Sequence, residues 1–238
     1  MVIADRFKSR PGAETVRLPS GGEMTLAVEH AAAILVNEQT AFRVVCTPEL
    51  LPQLALGRLL TEGWITCADE VEQIAVCAEG LKVSVHLTHP LEAAAAAGQE
   101  VPSCCTDNLT VASPVKLRPL APVEWVETLA AAMGDELPLY RTTHAVHSCF
   151  VLRDGKILYQ CEDLGRHNAL DKAVGCALAE GVQLGECVLY TSGRVPVDMV
   201  RKAIRAGVPA LVSKTMPTVQ SLELAEAYGL KLLIRKKK

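Results

Sequence analysis

The feature that most constrains this chain is an alternation of element types that begins near residue 145. Ala145 to Arg153 reads as a strand, Asp154-Gly155 as a hairpin turn, and Lys156 to Cys161 as the returning strand. Helix 168–180, strand Cys187 to Tyr190, helix Val197 to Ala206, strand Val208 to Val212, helix Thr218 to Tyr228 and strand Leu230 to Ile234 follow. Strands that alternate with helices in this way imply an α/β fold. The expected sheet is mostly parallel and covered by helices on both faces. Sheets of this class bind ligands beyond the carboxyl ends of their strands, so the strand-to-helix turns are where chemistry is expected.

The first of those turns is the richest. Glu162-Asp163-Leu164-Gly165-Arg166-His167-Asn168-Ala169-Leu170-Asp171-Lys172 joins a strand end, a glycine turn and a helix start. The helix has Leu170, Ala173, Val174 and Ala177 on its inner face. A helix cap from Asp163 or Asn168 accounts for one polar residue. A ligand site accounts for Arg166, His167 and the carboxylates together. The next turn, Tyr190-Thr191-Ser192-Gly193-Arg194, precedes Pro196 at a helix start, with Asp198 in its first turn. Free backbone N–H groups, a small Ser-Gly turn and an arginine suit a phosphate. Ser213-Lys214-Thr215-Met216-Pro217-Thr218 repeats the theme, so the three turns are expected to form one anion-binding rim.

Charge agrees with that expectation. The chain carries −3 overall, which gives a nucleic-acid partner no support. Residues 156–238 hold 13 Lys/Arg against 8 Asp/Glu, or +5, and residues 1–155 hold 11 against 19, or −8. No apolar run is long enough for a membrane span, and Met1 to Arg6 lacks a signal-peptide core. Nine cysteines, an odd number mostly in apolar segments, argue for a cytoplasmic protein rather than a disulfide framework.

The 238 residues divide into three regions. Residues 1–22 read as a loose leader, 23–115 as an N-terminal α+β subdomain, and 116–238 as the C-terminal α/β subdomain. In the second region, Met24 to Val28 and Ile34 to Val45 read as strands, the latter broken at Asn37-Glu38. Thr47-Pro48-Glu49 reads as a helix start with Thr47 as N-cap, and that helix stops at Gly63. Ile74 to Cys77 and Leu81 to Leu87 form a hairpin across Glu79-Gly80. Leu91 to Ala97 is a helical turn or two, Gln99 to Pro114 a long loop, and Pro122 to Met133 a helix.

Taken together, these segments resemble the FdhD family, the accessory proteins of formate dehydrogenase. The family's Glu-Asp-Val-Gly-Arg-His-Asn-Ala-Leu-Asp-Lys block is matched by Glu162 to Lys172. Its Ser-Gly-Arg and Met-Val-x-Lys-Ala segments are matched by Ser192 to Arg194 and Met199 to Ala203. Gly207-Val208-Pro209 and Pro217-Thr218 fit as well, and His147 falls on a family histidine. Leu54 to Gly63 is similar to the family's early helix. The resemblance spans roughly residues 24–230. It implies a two-part fold whose C-terminal part is similar to cytidine deaminases. It also implies sulfur transfer from a cysteine desulfurase to a molybdenum cofactor of the bis-molybdopterin guanine dinucleotide type, for formate dehydrogenase.

The family carries a Ser-Cys-x-x-Cys loop between its two parts. The matching stretch is Ser103-Cys104-Cys105-Thr106-Asp107, with Cys104 on the first family cysteine, Asp107 at the second position and Cys105 as a new neighbour. Cys104 is therefore expected to carry the persulfide with Cys105 assisting, since persulfide exchange needs a reachable thiolate. Arg166, His167, Ser192, Gly193, Arg194 and His147 are expected to bind the guanine-nucleotide-type ligand, with Asp163 and Asp171 orienting basic side chains. The family's glycine- and arginine-rich turn has no counterpart after Ile234, which predicts looser, more salt-sensitive cofactor binding. No resident metal is expected. His144 and His147 point to opposite faces of a strand, and the zinc-deaminase signature is missing. A homodimer is compatible with the chain. The rival reading is a protein that binds the cofactor or a client enzyme without sulfur chemistry.

Overall fold

A computed structural model of the protein describes residues 1–90 and 137–234. The expected helices at 91–97 and 122–133, the loop at 99–114 with Cys104 and Cys105, and the boundary at 115 lie outside the described residues.

The N-terminal part is built on a five-stranded sheet. β1 (Val2–Asp5), β6 (Val71–Val76), β7 (Lys82–Leu87), β4 (His30–Val36) and β5 (Gln39–Cys46) lie in that order, while β2 (Ala13–Arg17) and β3 (Glu23–Ala27) form a separate antiparallel ribbon. Asn37 and Glu38, with φ of 46° and 71°, make the tight turn that the sequence predicts between β4 and β5. The expected loose leader instead contains two strands. Val2 to Asp5 pairs in parallel with Gln73 to Val76, which ties the terminus into the sheet.

Helix α1 (Leu51–Glu62) begins later than expected. Its N-cap is Leu50, in the left-handed region at φ 58°, and Pro52 sits in its first turn. Thr47 is not a cap because it is engaged elsewhere: its N–H and hydroxyl both donate to Asp163 Oδ2. The helix ends at Gly63, at φ 78°, as its sequence signals. Ten of its twelve residues are buried, so α1 runs through the interior rather than over the surface.

The C-terminal part begins with the short helix α2 (Pro138–Thr143). Then follow β8 (His147–Arg153), β9 (Lys156–Asp163), α3 (Arg166–Ala179), β10 (Val188–Thr191), α4 (Val197–Arg205), β11 (Ala210–Ser213), α5 (Val219–Tyr228) and β12 (Lys231–Ile234). The sheet order is β12-β11-β10-β8-β9. Only β8 runs against the others: it is antiparallel to both β9 and β10, which leaves β9, β10, β11 and β12 pointing one way. From β9 to β12 the chain advances steadily in one direction across the sheet. Crossovers of one hand therefore place α3, α4 and α5 on the same face. Their inner residues, among them Leu170, Val174, Val200, Ile204 and Ala225, share one core with Leu189 and Leu211 of the sheet. The opposite face carries a second cluster, Phe150, Leu152, Val188, Tyr190 and Val212 with Leu137, and no described crossover helix.

The main core continues through α1 into the first sheet, so α1 and the α3/α4 layer lie between the two sheets. α1 and α3 cross at two glycines. A Cβ on Gly57 would lie 1.8 Å from the Asp171 carbonyl oxygen, and one on Gly175 would lie 1.9 Å from that of Gln53. Only glycine allows the two backbones to touch.

Candidate functional site

The carboxyl ends of β9, β10 and β11 and the start of β8 meet at one edge of the second sheet. His147 opens β8 directly opposite Asp163, the last residue of β9. Ser192 fastens the next turn to β8: its N–H donates to Ser148 O at 3.0 Å, and its Oγ accepts the Ser148 N–H at 2.8 Å. Gly193 donates its N–H to Thr191 Oγ1 at 3.2 Å and accepts the Ser213 hydroxyl at 3.3 Å. The turn bearing Ser192, Gly193 and Arg194 is thus fixed from both neighbouring strands.

Gly193 is the floor on which Arg166 lies. A Cβ there would come within 2.8 Å of Arg166 Cβ and 3.1 Å of its Cδ, so a larger residue would push the arginine aside. Arg166 Nε is buried without a hydrogen-bond partner among the described residues. His167 pairs its Nε2 with Asp198 Oδ2 at 2.5 Å. Burial alone would raise the Asp198 carboxyl, but the hydrogen bond and charge of His167 hold it below the usual range. His147 is half-buried, and burial depresses its pKa below 6.5, helped by the nearby Arg166 and His167. Arg194 stands exposed at the lip. The structure therefore brings together Arg166, His167, His147, Ser192, Gly193 and Arg194, all expected from the sequence. Two arginines with polar neighbours over a glycine floor suit an anionic group.

The third turn does not extend the rim as expected. Ser213 supports Gly193, and Lys214 Nζ lies 5.9 Å from the Tyr140 ring centroid. Thr218 is an ordinary N-cap, its Oγ1 accepting the Ser221 N–H at 3.2 Å. His144 closes α2 in the left-handed region at φ 52° and packs its ring edge-on to Tyr140, so it is a helix cap and not part of the strand that carries His147. Glu162 binds the N–H groups of Leu139 at 3.0 Å and Tyr140 at 2.7 Å, which anchors α2.

Half of the polar block at 162–172 faces inward. Asp163 Oδ2 pairs with Lys172 Nζ at 2.6 Å, and Lys172 also donates to Thr47 Oγ1 at 2.6 Å. Asp163 Oδ1 accepts from Gly165 N at 3.0 Å and from Asn168 Nδ2 at 2.9 Å. Asn168 Oδ1 accepts from Arg58 at 2.8 Å. Asp171 accepts the Thr61 hydroxyl at 2.6 Å and Lys202 Nζ at 3.1 Å, and its Oδ2 forms an ion pair with the Arg58 guanidinium, 2.5 Å from Nε. Lys202 also meets Glu62 at 2.6 Å. Asp163 and Asp171 do orient basic side chains, but those are Lys172, Arg58 and Lys202 rather than the rim arginines. The contacts made by Arg58, Thr61, Lys202 and Asp198 were not expected from the sequence. The signal that points to Arg58 is a lone arginine, beside a glycine, in the otherwise apolar run Leu54 to Leu60.

Among the described residues, no group of three His, Cys, Asp or Glu side chains is gathered to hold a metal ion. No described helix is long and apolar enough to cross a membrane.

Comparison with known proteins identifies the architecture. The family model described as FdhD/NarQ matches residues 27–238. The sulfur carrier protein FdhD of Nocardia farcinica is 33% identical over 242 residues, covering 92% of this chain and 86% of the relative. That of Bacillus subtilis is 28% identical over 222 residues, covering 87% and 83%. A crystal structure of a candidate formate dehydrogenase accessory protein from Desulfotalea psychrophila superposes with a TM-score of 0.70 at 28% identity, covering 93% of this chain and 90% of that one. With the rim at the sheet's carboxyl edge and a match that spans both sheets, the chain belongs to the FdhD/NarQ family.

Proposed function

We propose that this protein is a cytoplasmic sulfur carrier that takes persulfide sulfur from a cysteine desulfurase and hands it to a molybdenum cofactor of the guanine-dinucleotide type, for use by formate dehydrogenase. The Cys104 thiolate attacks the outer sulfur of the donor's persulfide. The donor's S–S bond breaks, its cysteine leaves as a thiolate, and Cys104 holds the sulfur with Cys105 beside it. Arg166, Arg194, His147 and His167 hold the anionic part of the cofactor, while Ser192 and Gly193 shape the floor. The observation that supports this most is the contact of Arg166 with Gly193. Two successive strand-end turns, each with an arginine, meet there and leave a buried guanidinium donor free for a ligand.

A second reading rests on the cysteine loop, where Cys104-Cys105 with Asp107 departs from the Cys-x-x-Cys spacing. In that reading the rim binds the cofactor without sulfur chemistry. Mass spectrometry after incubation with a desulfurase and cysteine separates the two. Sulfur carriage predicts a 32-Da addition at Cys104, lost in Cys104→Ala and reduced less in Cys105→Ala. Intact nucleotide binding with no such addition would leave only the second reading.

A further inference from the structure

Away from the rim, β9 and α3 hold a close pair of thiols. Cys161 Sγ lies 4.0 Å from Cys176 Sγ. Two residues earlier on β9, the Tyr159 hydroxyl donates to Glu180 Oε2 at 2.7 Å, just past the helix end and four residues beyond Cys176. A step of two along a strand and a step of four along a helix both cover about 6–7 Å, so the two contacts lie in register and hold the helix along the strand. The thiols differ in access. Cys161 is 3% exposed, whereas Cys176 is half-buried and reachable from solvent. They also differ in acidity. The hydrogen bond from Cys161 lowers the pKa of Cys176, while that same bond, and then burial, raise the pKa of Cys161.

We propose that Cys161 and Cys176 form a thiol–disulfide exchange site whose co-substrate is a low-molecular-weight disulfide. The outer Cys176 thiolate attacks one sulfur of the co-substrate. The co-substrate's S–S bond breaks, one small thiolate leaves, and a mixed disulfide remains on Cys176. Cys161 then gives up its proton and attacks Cys176 Sγ, which breaks the mixed disulfide and releases the second small thiolate. The protein loses two electrons and two protons, and the co-substrate leaves as two thiols. Bond formation brings the sulfur atoms from 4.0 Å to about 2.05 Å. Cys149, across the strand pair from Cys161, is fully buried, and burial raises its thiol pKa far above that of an exposed cysteine, so it does not compete as a nucleophile. The new bond would close the crossover over residues 161–176, the segment that carries Arg166 and His167. The site uses no loop cysteine and stands apart from the sulfur-carrier reading.

The test is a titration of the full chain with mixtures of oxidised and reduced glutathione, followed by alkylation and non-reducing peptide mapping. Trypsin combined with a glutamate-specific protease leaves Cys161, Cys176 and Cys187 in three separate peptides, because cleavage sites lie between them. The expected product is a cross-link between the Cys161 and Cys176 peptides that forms and reverses with the glutathione ratio. A stable glutathione adduct on Cys176 with Cys161 still free, a cross-link to Cys149 or Cys187, or no oxidation of the pair would each overturn the proposal. In Cys161→Ser, Cys176 should accumulate the glutathione adduct. In Cys176→Ser, Cys161 should stay reduced, and its oxidation there at the wild-type rate would overturn the assigned order. The wild-type map decides by itself if either variant fails to fold.

Discussion

Within the 162–172 block, Asp163, Asn168, Asp171 and Lys172 are buried and paired, while Arg166 and His167 remain partly open, with Arg166 Nε unpaired among the described residues. The two sets alternate along a few residues yet answer to different partners. The inward set meets α1 and Lys202 of α4, while in the outward set Arg166 meets the turn at Ser192 to Arg194 and His167 meets Asp198 at the start of α4. Motif residues that stand together in sequence therefore need not share a role. Replacing inward residues should unfold the protein without a selective effect on binding, and replacing outward residues should do the reverse.

The sharpest test of that division is Asp171→Ala. It leaves Arg58 and Lys202 buried without their shared carboxylate, and breaking a buried pair from one side costs about 3–5 kcal/mol. Urea denaturation should show that loss, whereas a change under 1 kcal/mol would mean the clamp contributes little. Acid should attack the same region next. Lys202 and Arg58 overcome burial and hold Glu62 down at about 2, below its ordinary 4.5. A depressed carboxylate stabilises the fold fully above its unfolded pKa and loses that contribution as pH falls through the folded value. Stability should thus decline between about pH 5 and pH 2 by roughly 3 kcal/mol. Glu62→Gln should flatten that slope in urea midpoints measured against pH, and an unchanged slope would assign the acid sensitivity elsewhere.

The outward set predicts smaller effects on a different axis. Arg194→Ala should leave unfolding within about 0.5 kcal/mol of wild type, since the side chain is exposed, yet weaken guanine-nucleotide binding by about 1.5–3 kcal/mol. Calorimetry finding equal affinities would remove Arg194 from the rim. His147 should give the smallest effect. Its depressed pKa keeps it neutral at pH 7 in the free protein, and a bound anion favours its charged form. Nucleotide affinity should rise as pH falls below about 6.5, by about two- to five-fold, and His147→Asn should blunt that rise. The sign for stability is opposite: over the same window the empty fold loses stability, because the unfolded histidine takes up its proton first.

Much of this was legible in the sequence for a physical reason. Strand and helix periodicities, the turns at Asn37-Glu38 and Asp154-Gly155, and the helix stop at Gly63 are all local signals. That the rim residues would lie together was legible too, because they sit on strand-end turns of neighbouring strands. Thr47 was misread because capping rules consider only its sequence neighbours, while its partners are Asp163 and Lys172. Asn168, Asp171, Lys172 and Gly175 do form one stripe at helical spacing, but nothing nearby reveals that the stripe meets Arg58, Thr61 and Gly57. Thr218 looked like a ligand residue because a capping threonine and a binding threonine have the same sequence signature. The carrier assignment of Cys104 and Cys105 rests on resemblance, as both lie outside the described residues.

The crossing of α1 and α3 also sets an order of events when the chain is made. Side-chain bonds at that crossing join residues far apart in sequence: Arg58 and Asn168 are 110 positions apart, and Thr61 and Lys202 are 141. At about 5–20 residues per second, α1 leaves the ribosome roughly 5–30 s before its partners exist. Until then the partners that Arg58 and Glu62 meet in the fold are absent, and both charges have water around them. The ion pairs form only when α3 and α4 arrive. Distant pairings of this kind slow folding, so the late step of assembly is the docking of the two halves through their touching glycines.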